Sequence, residues 1–301
     1  MNKKFIAFGC KNSNSTNSFI YYAYLRAFES LGWESYWIDN EDAHNFDFSN
    51  SLIFTFGGYD QKLPIRRDCK YILHNCDMNK YHDVLDNSLI LQVFTTDVYG
   101  RDVEKIDDFI YYQKNGNVVY QPWAADLLPH EITEKTSLNF TDDKKVYWVG
   151  SIWNTNGQGN TSLIEDLIKA LSKKDIKFEQ KKINLYNNSS DVIANFDKIK
   201  NIMNSSYISP SLQGQWQCDK GYIACRIFKN ISYGEFGITN SKYVNDLFQD
   251  MIVYDSDINL MVEKALQKRN TITLQEINQQ IRFVKEKHTY INRIKNILSI
   301  L

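Results

Sequence analysis

Apolar positions in the first third of the chain fall into short blocks separated by polar stretches. KKFIAFG, ESYWID, SLIFTFG, KYILHNCD and SLILQVFTTD each read as a buried strand. Between the first two, Phe19, Ile20, Ala23, Tyr24, Ala27, Phe28 and Leu31 recur with helical spacing, and Gly32 stops the helix. Strands separated by helix-length spacers predict βαβ units and a parallel sheet. Ligands usually bind in the loops at the carboxyl edge of such a sheet. Here those loops are Cys10–Asn17, Asp39–Asp42, Gly57–Asp60, His74–Asp77 and Thr95–Asp97.

Val118–Tyr120 reads as one more strand, after which Pro122 and Pro129 interrupt regular structure and a polar stretch follows. The second half restarts the pattern. KVYWVGS is a strand with a glycine turn, and Leu163, Ile164, Leu167, Ile168 and Leu171 mark a helix. DIKFEQ is a strand, Val192, Ile193, Phe196, Ile199, Ile202 and Met203 form a helical face, and SYISPS is a strand ending at Pro210. A helix at Tyr243–Phe248, a strand MIVYD and a helix at Ile258–Lys268 follow. The tail from Thr273 to Leu301 is amphipathic and begins with a capping box, Thr273-x-x-Glu276. A chain of 301 residues exceeds one ordinary core, so two α/β domains are expected. They are placed at 1–127 and 144–272, with a linker at 128–143 and a terminal helix at 273–301.

Charge narrows the partners. Thirty-five basic against thirty-six acidic residues exclude a broad nucleic-acid-binding surface and leave room for a local basic pocket. The cysteines, Cys10, Cys69, Cys76, Cys218 and Cys225, are odd in number and form no C-x-x-C pair, which fits a reducing interior. The opening apolar stretch is too short for a signal peptide, and no run approaches the ~18 residues of a membrane span. A cytoplasmic protein, with peripheral membrane contact at most, is expected.

One stretch stands out in this neutral chain: GYIACRIFKNISYGEFGITNS, residues 221–241. As a helix from Tyr222 to Tyr233, it puts Tyr222, Arg226, Lys229, Asn230 and Tyr233 on one side and Ile223, Ala224, Ile227, Phe228 and Ile231 on the other. Two cations alone would suit a solvated face. This helix, however, opens from the glycine-bearing loop SPSLQGQWQCDKG, which follows a strand, and such a junction suits a phosphate clamped by arginine.

Residues 226–266, RIFKNISYGEFGITNSKYVNDLFQDMIVYDSDINLMVEKAL, resemble the carboxyl-terminal part of GT-B glycosyltransferases, specifically the "glycosyl transferases group 1" proteins related to the CgeB spore-coat family. YWVGSIW is similar to the first strand of their second domain, and VVYQPWAAD to their interdomain connector with its P-x-A-x-D sequence. The resemblance spans about residues 118 to 266. It implies an α/β GT-B fold: two Rossmann-like domains with parallel sheets facing a central cleft, and a C-terminal helix crossing back to the first, acceptor-side domain. The implied activity is metal-independent transfer of a sugar from a nucleotide-sugar to an acceptor hydroxyl in surface glycan or polysaccharide assembly. The donor would be a substrate, with no cofactor and no metal, and the acceptor a glycan or glycolipid.

The same resemblance implies roles. Arg226 and Lys229 would neutralise the leaving nucleotide, with Tyr222 beside them on the same face. Gly150 and Ser151 would approach the phosphates or sugar, Gln213, Gly214, Gln215 and Trp216 the base, and Asn240 and Ser241 the donor sugar. Many GT-B enzymes hold the donor ribose with a Glu where this chain has Lys229, and an ammonium accepts no hydrogen bond. An inverting reaction would need a base from the first domain. His74 and Asp77 are the candidates, with Asp97 and Asp39 as competitors that fit a helix cap or a structural hydrogen bond better.

Alternatives remain open. A non-catalytic GT-B-like binding or scaffold subunit would bind without turnover. A metal-dependent GT-A enzyme would use Asp255-Ser-Asp257, although Asp257 reads better as a helix N-cap. A nicotinamide enzyme is disfavoured because FGCKNSNSTN lacks the G-x-G-x-x-G glycines.

Overall fold

The computed structural model describes residues 3–11, 16–156, 158–181 and 192–301, and within the last range the side chains from 197 onward. Part of the expected Cys10–Asn17 loop, and Val192, Ile193 and Phe196 as a helical face, lie outside what is described. The chain divides into two units. The first comprises residues 1–122 and 290–301, the second residues 123–289.

The first unit contains β1 (Lys4–Phe8), α1 (Thr16–Ser30), β2 (Glu34–Ile38), β3 (Leu52–Phe56), β4 (Lys70–His74), β5 (Ser88–Gln92), β6 (Glu104–Asp107), β7 (Ile110–Gln113) and β8 (Val118–Tyr120). These make one sheet in the order β2-β1-β3-β4-β5-β8-β7-β6. It is parallel from β2 through β8 and antiparallel at the β8-β7-β6 edge. The registers include Phe5↔Leu52, Ile53↔Tyr71 and Ile72↔Leu89. Alternate residues serve opposite faces. Phe5 stacks on Phe28 of α1 (ring centroids 3.8 Å apart), and Phe54 on Tyr24 (4.3 Å). Ile6, Phe8, Ile53, Tyr71 and Leu73 point the other way, into a cluster with Phe48, Leu63, Tyr81 and Val84. Burial on both faces explains why the middle of these strands is an almost unbroken apolar run.

Two details differ from the expectation. The β6–β7 hairpin was not legible, since EKID and IYYQ carry mixed polarity at an exposed edge. The later crossovers are loops and 3-10 turns, with β4 and β5 joined through Met78–Asn87. That stretch, MNKYHDVLDN, is rich in Asn and Asp, which compete with helix through local hydrogen bonds.

The second unit runs β9 (Lys145–Val149), β10 (Asn154–Thr155), β11 (Gln158–Gly159), α2 (Thr161–Ser172), β12 (Lys177–Lys181), α3 (Val192–Asn204), α4 (Gln215–Asp219), α5 (Cys225–Ser232), β13 (Ile238–Thr239), α6 (Lys242–Leu247), β14 (Val253–Tyr254), α7 (Ile258–Thr271) and α8 (Leu274–Lys287). β12 pairs with β9 and β13 with β14, both parallel. The expected strand SYISPS forms no regular ladder, because Pro210 removes a donor. It still links the two pairs: Tyr207 N donates to Lys145 O (2.7 Å), and Ser211 N donates to Ile238 O (2.8 Å). The 207–211 segment thus stands between the pairs β12-β9 and β13-β14, and is parallel to β13 at the Ser211–Thr239 bridge.

The expected linker 128–143 belongs to the second unit. Lys135 and Asn278 of α8 exchange two hydrogen bonds (2.8 and 2.9 Å), and Lys285 Nζ donates to Ile132 O (3.0 Å). The tail at 273–301 is two helices. Thr273 and Glu276 form the expected capping box of α8. After His288–Thr289, α9 (Tyr290–Ile300) belongs to the first unit, where Tyr290 packs on Tyr24 of α1 (4.9 Å). Among the described residues no helix is long and apolar enough to cross a membrane.

Candidate functional site

In the second unit the expected donor residues gather at the carboxyl ends of the parallel strands. Gly150 and Ser151 follow β9, Gln213–Trp216 follow the 207–211 segment, and Asn240 and Ser241 follow β13. Arg226 lies on α5 and reaches the first of these loops. Its guanidinium lies over the Trp148 ring, 3.8 Å from the centroid. Gly150 has φ +130°, and a Cβ there would come within 2.8 Å of Arg226 Nη2. The positive φ favours glycine here, and the guanidinium tip occupies the space where a side chain would start. Arg226 is half-buried, and among the described residues it has no carboxylate partner and no hydrogen-bond acceptor. Burial pulls its pKa down to about 10, so it remains a cation at neutral pH.

The helix begins three residues later than expected, at Cys225, so Tyr222 precedes it. The Tyr222 hydroxyl accepts from Trp123 Nε1 (3.0 Å). The polar side of α5 points largely inward. Asn230 is buried and donates to Ser209 O (2.7 Å), and Tyr233 is buried with its hydroxyl 2.9 Å from both oxygens of Asp126. Lys229 Nζ lies 2.8 Å from the same carboxylate, so its charge is matched by Asp126.

The remaining donor candidates divide between scaffold and surface. Gln213 is fully buried; its backbone N donates to Asn240 Oδ1 and its O accepts from Asn240 Nδ2, both at 2.9 Å. These two residues tie adjacent strand ends together. The Ser241 backbone N donates to Thr239 Oγ1 (3.1 Å). Gly214 begins α4 against the β10–β11 hairpin, where a Cβ would fall 2.0 Å from Gly159 O. Ser151 and Gln215 are exposed, and Trp216 is half-buried.

In the first unit, His74 ends β4 and is buried. Its Nδ1 lies 2.8 Å from Leu91 O, which only an N–H can satisfy, so Nε2 is the accepting nitrogen, 3.2 Å from Asn75 Nδ2. Burial pushes its pKa down to about 4. Asp77 is exposed and caps the following 3-10 turn by accepting from Asn79 N (3.0 Å). Asp97 lies inside the short turn after β5, whose cap is Phe94, so the helix-cap reading does not apply to it. Asp39 accepts from Asn40 N (3.1 Å).

Asp257 caps α7, accepting from Asn259 N (2.8 Å) and Leu260 N (3.0 Å). Asp255 pairs with Lys264 (2.8 Å). Among the described residues no group of three His, Cys, Asp or Glu is arranged to hold a metal ion. Sequence reasoning missed Trp148, the platform under Arg226, and the pairing role of Asp126. A signal existed for each: Trp148 sits on the buried alternation of β9, and Asp126 is the last residue of the quoted PWAAD.

No protein-family model matches the chain, the CgeB-like resemblance included, and no curated protein matches it in sequence. Solved structures do. TarM of S. aureus, a mutant in complex with fondaparinux, alpha-GlcNAc-glycerol and UDP, superposes with a TM-score of 0.50 at 12% identity, covering 86% of this chain. The match spans 57% of TarM. An alpha-glucosyltransferase in complex with UDP superposes with a TM-score of 0.58 at 11% identity, covering 99% of each chain. Two α/β units, each built on parallel strands, together with these likenesses give the chain the fold of the GT-B glycosyltransferases.

Proposed function

We propose that this protein transfers a sugar from a nucleotide-sugar, UDP-linked in the first instance, to an acceptor hydroxyl, with Arg226 neutralising the departing diphosphate. One observation carries the reading: a cationic guanidinium held on the Trp148 ring, beside a glycine at a strand's carboxyl end, with no anion against it among the described residues. Such a group is costly to bury and waits for an external negative charge. In the transfer, the bond from the anomeric carbon to the diphosphate breaks and one to the acceptor oxygen forms. The negative charge that collects on the diphosphate is what Arg226 would stabilise. UDP in the two superposed structures supports the choice of donor class. His74 is kept as the candidate base of an inverting reaction; its Nε2, which faces Asn75 Nδ2 at 3.2 Å, would have to leave that contact to take the acceptor's proton. A glycan acceptor and a place in surface polysaccharide assembly belong to the same proposal.

The test is ligand-induced stabilisation. UDP at 100 times its dissociation constant adds about 2.7 kcal/mol to unfolding. Arg226→Ala is expected to abolish the shift while leaving the circular dichroism unchanged. Equal UDP affinity in that variant refutes the assignment. UDP release from UDP-sugars with glycan acceptors then separates a transferase from a binding subunit.

A further inference from the structure

Six tryptophans occur in the chain, and three of them are buried with the indole N–H donated: Trp37 to Gly9 O (2.8 Å), Trp123 to the Tyr222 hydroxyl (3.0 Å) and Trp148 to Ser151 O (3.4 Å). Trp153, on the loop that leaves β9, is different. It is 37% exposed, and among the described residues its ring meets no other ring and its indole N–H no acceptor. Its backbone, by contrast, is tied down. Asn160, itself buried, accepts from Trp153 N through Oδ1 (3.0 Å), donates from its own backbone N to Trp153 O (3.1 Å), and donates from Nδ2 to Ser151 O (3.2 Å). Two glycines close the same corner. A Cβ on Gly159 would fall 2.1 Å from Trp153 O, and one on Gly214 would fall 2.0 Å from Gly159 O. The result is a fixed corner between Gly150, where Arg226 lies, and Gly214, where α4 begins, with a large ring left partly in solvent.

Packing does not account for this ring. A side chain of its size contributes most when buried, and a scattered surface tryptophan needs no rigid backbone beneath it. We infer that Trp153 is the platform on which the base of the nucleotide donor stacks, an inference that rests on the donor site proposed above. With the diphosphate at Arg226 and Gly150, the three residues from Gly150 to Trp153 reach at most about 10 Å, the range in which the ribose places the base. Of the donor's parts, the base is the one with a flat π-face to match an indole. Stacking engages the face of the ring and leaves the indole N–H to water. It reads no base edge, so Trp153 supplies affinity and leaves the choice among bases to other groups.

The experiment titrates UDP calorimetrically into the full chain, Trp153→Ala and Trp153→Phe, with Arg226→Ala in parallel. Trp153→Ala is expected to weaken UDP by about fivefold or more, and Trp153→Phe, which restores a flat ring, to recover most of that loss. A smaller loss in Trp153→Ala overturns the inference. That includes the case in which UDP is unaffected and only UDP-glucose binds more weakly, which would put the sugar on the ring. A Trp153→Phe variant no better than Trp153→Ala also overturns it, because the loss then comes from the loop and not from stacking. Should Trp153→Ala not fold, Trp153→Leu, apolar but without a π-face, takes its place under the same threshold. Unchanged UDP affinity in Arg226→Ala removes the donor site itself and this inference with it. Loss in Arg226→Ala without loss in Trp153→Ala removes only the role given to Trp153.

Discussion

Glu235 sits in the GEFG turn between α5 and β13 and is 4% exposed. The cations nearest to it are engaged elsewhere: Lys135 Nζ donates to Gly234 O (2.9 Å), and Arg269 donates to Tyr207 O (3.1 Å) and to Thr141 O. Burial therefore outweighs their attraction and raises the Glu235 pKa from 4.5 to about 7. The folded state binds a proton that the unfolded chain releases, so stability falls as pH rises from about 4.5 to about 7 and stays lower above that. A shift of that size corresponds to about 3 kcal/mol. Glu235→Gln keeps the shape and removes the charge. It is expected to be more stable than the parent at pH 8 by up to about 3 kcal/mol, with the advantage disappearing near pH 4.5. The assay is urea unfolding of both proteins from pH 4.5 to 8.5, reading the midpoint at constant slope. Parallel curves, with no extra loss in the parent between pH 5 and 7, would refute the reasoning.

Trp148 is 2% exposed, so Trp148→Ala should cost about 3–5 kcal/mol in stability and also weaken UDP binding, while Trp148→Phe should keep the ring beneath Arg226 and most of the affinity; both are read by thermal melts with and without UDP. Gly214→Ala should force the β10–β11 hairpin away, because the added methyl meets Gly159 O at 2.0 Å, and a change in tryptophan fluorescence from the half-exposed Trp153 on that hairpin would report the displacement.

Much of the architecture was legible because strands buried on both faces must be apolar at most positions. KKFIAFG, SLIFTFG and KYILHNCD left few other readings, and β1, β3 and β4 lie where those blocks stand. The Thr273–Glu276 capping box and the Asp257 cap were legible for a similar reason, since each is a local hydrogen-bond pattern within four consecutive residues. The β6–β7 hairpin was not, because an edge strand needs no continuous apolar face.

The sequence alone determined that α5 would carry Arg226, Lys229, Asn230 and Tyr233 along one stripe, because helical periodicity assigns faces without reference to anything distant. It could not say what each member of that stripe would meet. Asp126 is 103 positions before Lys229, Trp148 is 78 before Arg226, and their approach depends on how β9 and the 123–126 segment pack around the helix. Two cations equivalent in the sequence thus became one paired with a buried carboxylate and one held on an aromatic ring, with no anion against it among the described residues. Charge is a property of the residue, but whether that charge is available to a ligand depends on its neighbours, and only the tertiary structure supplies them.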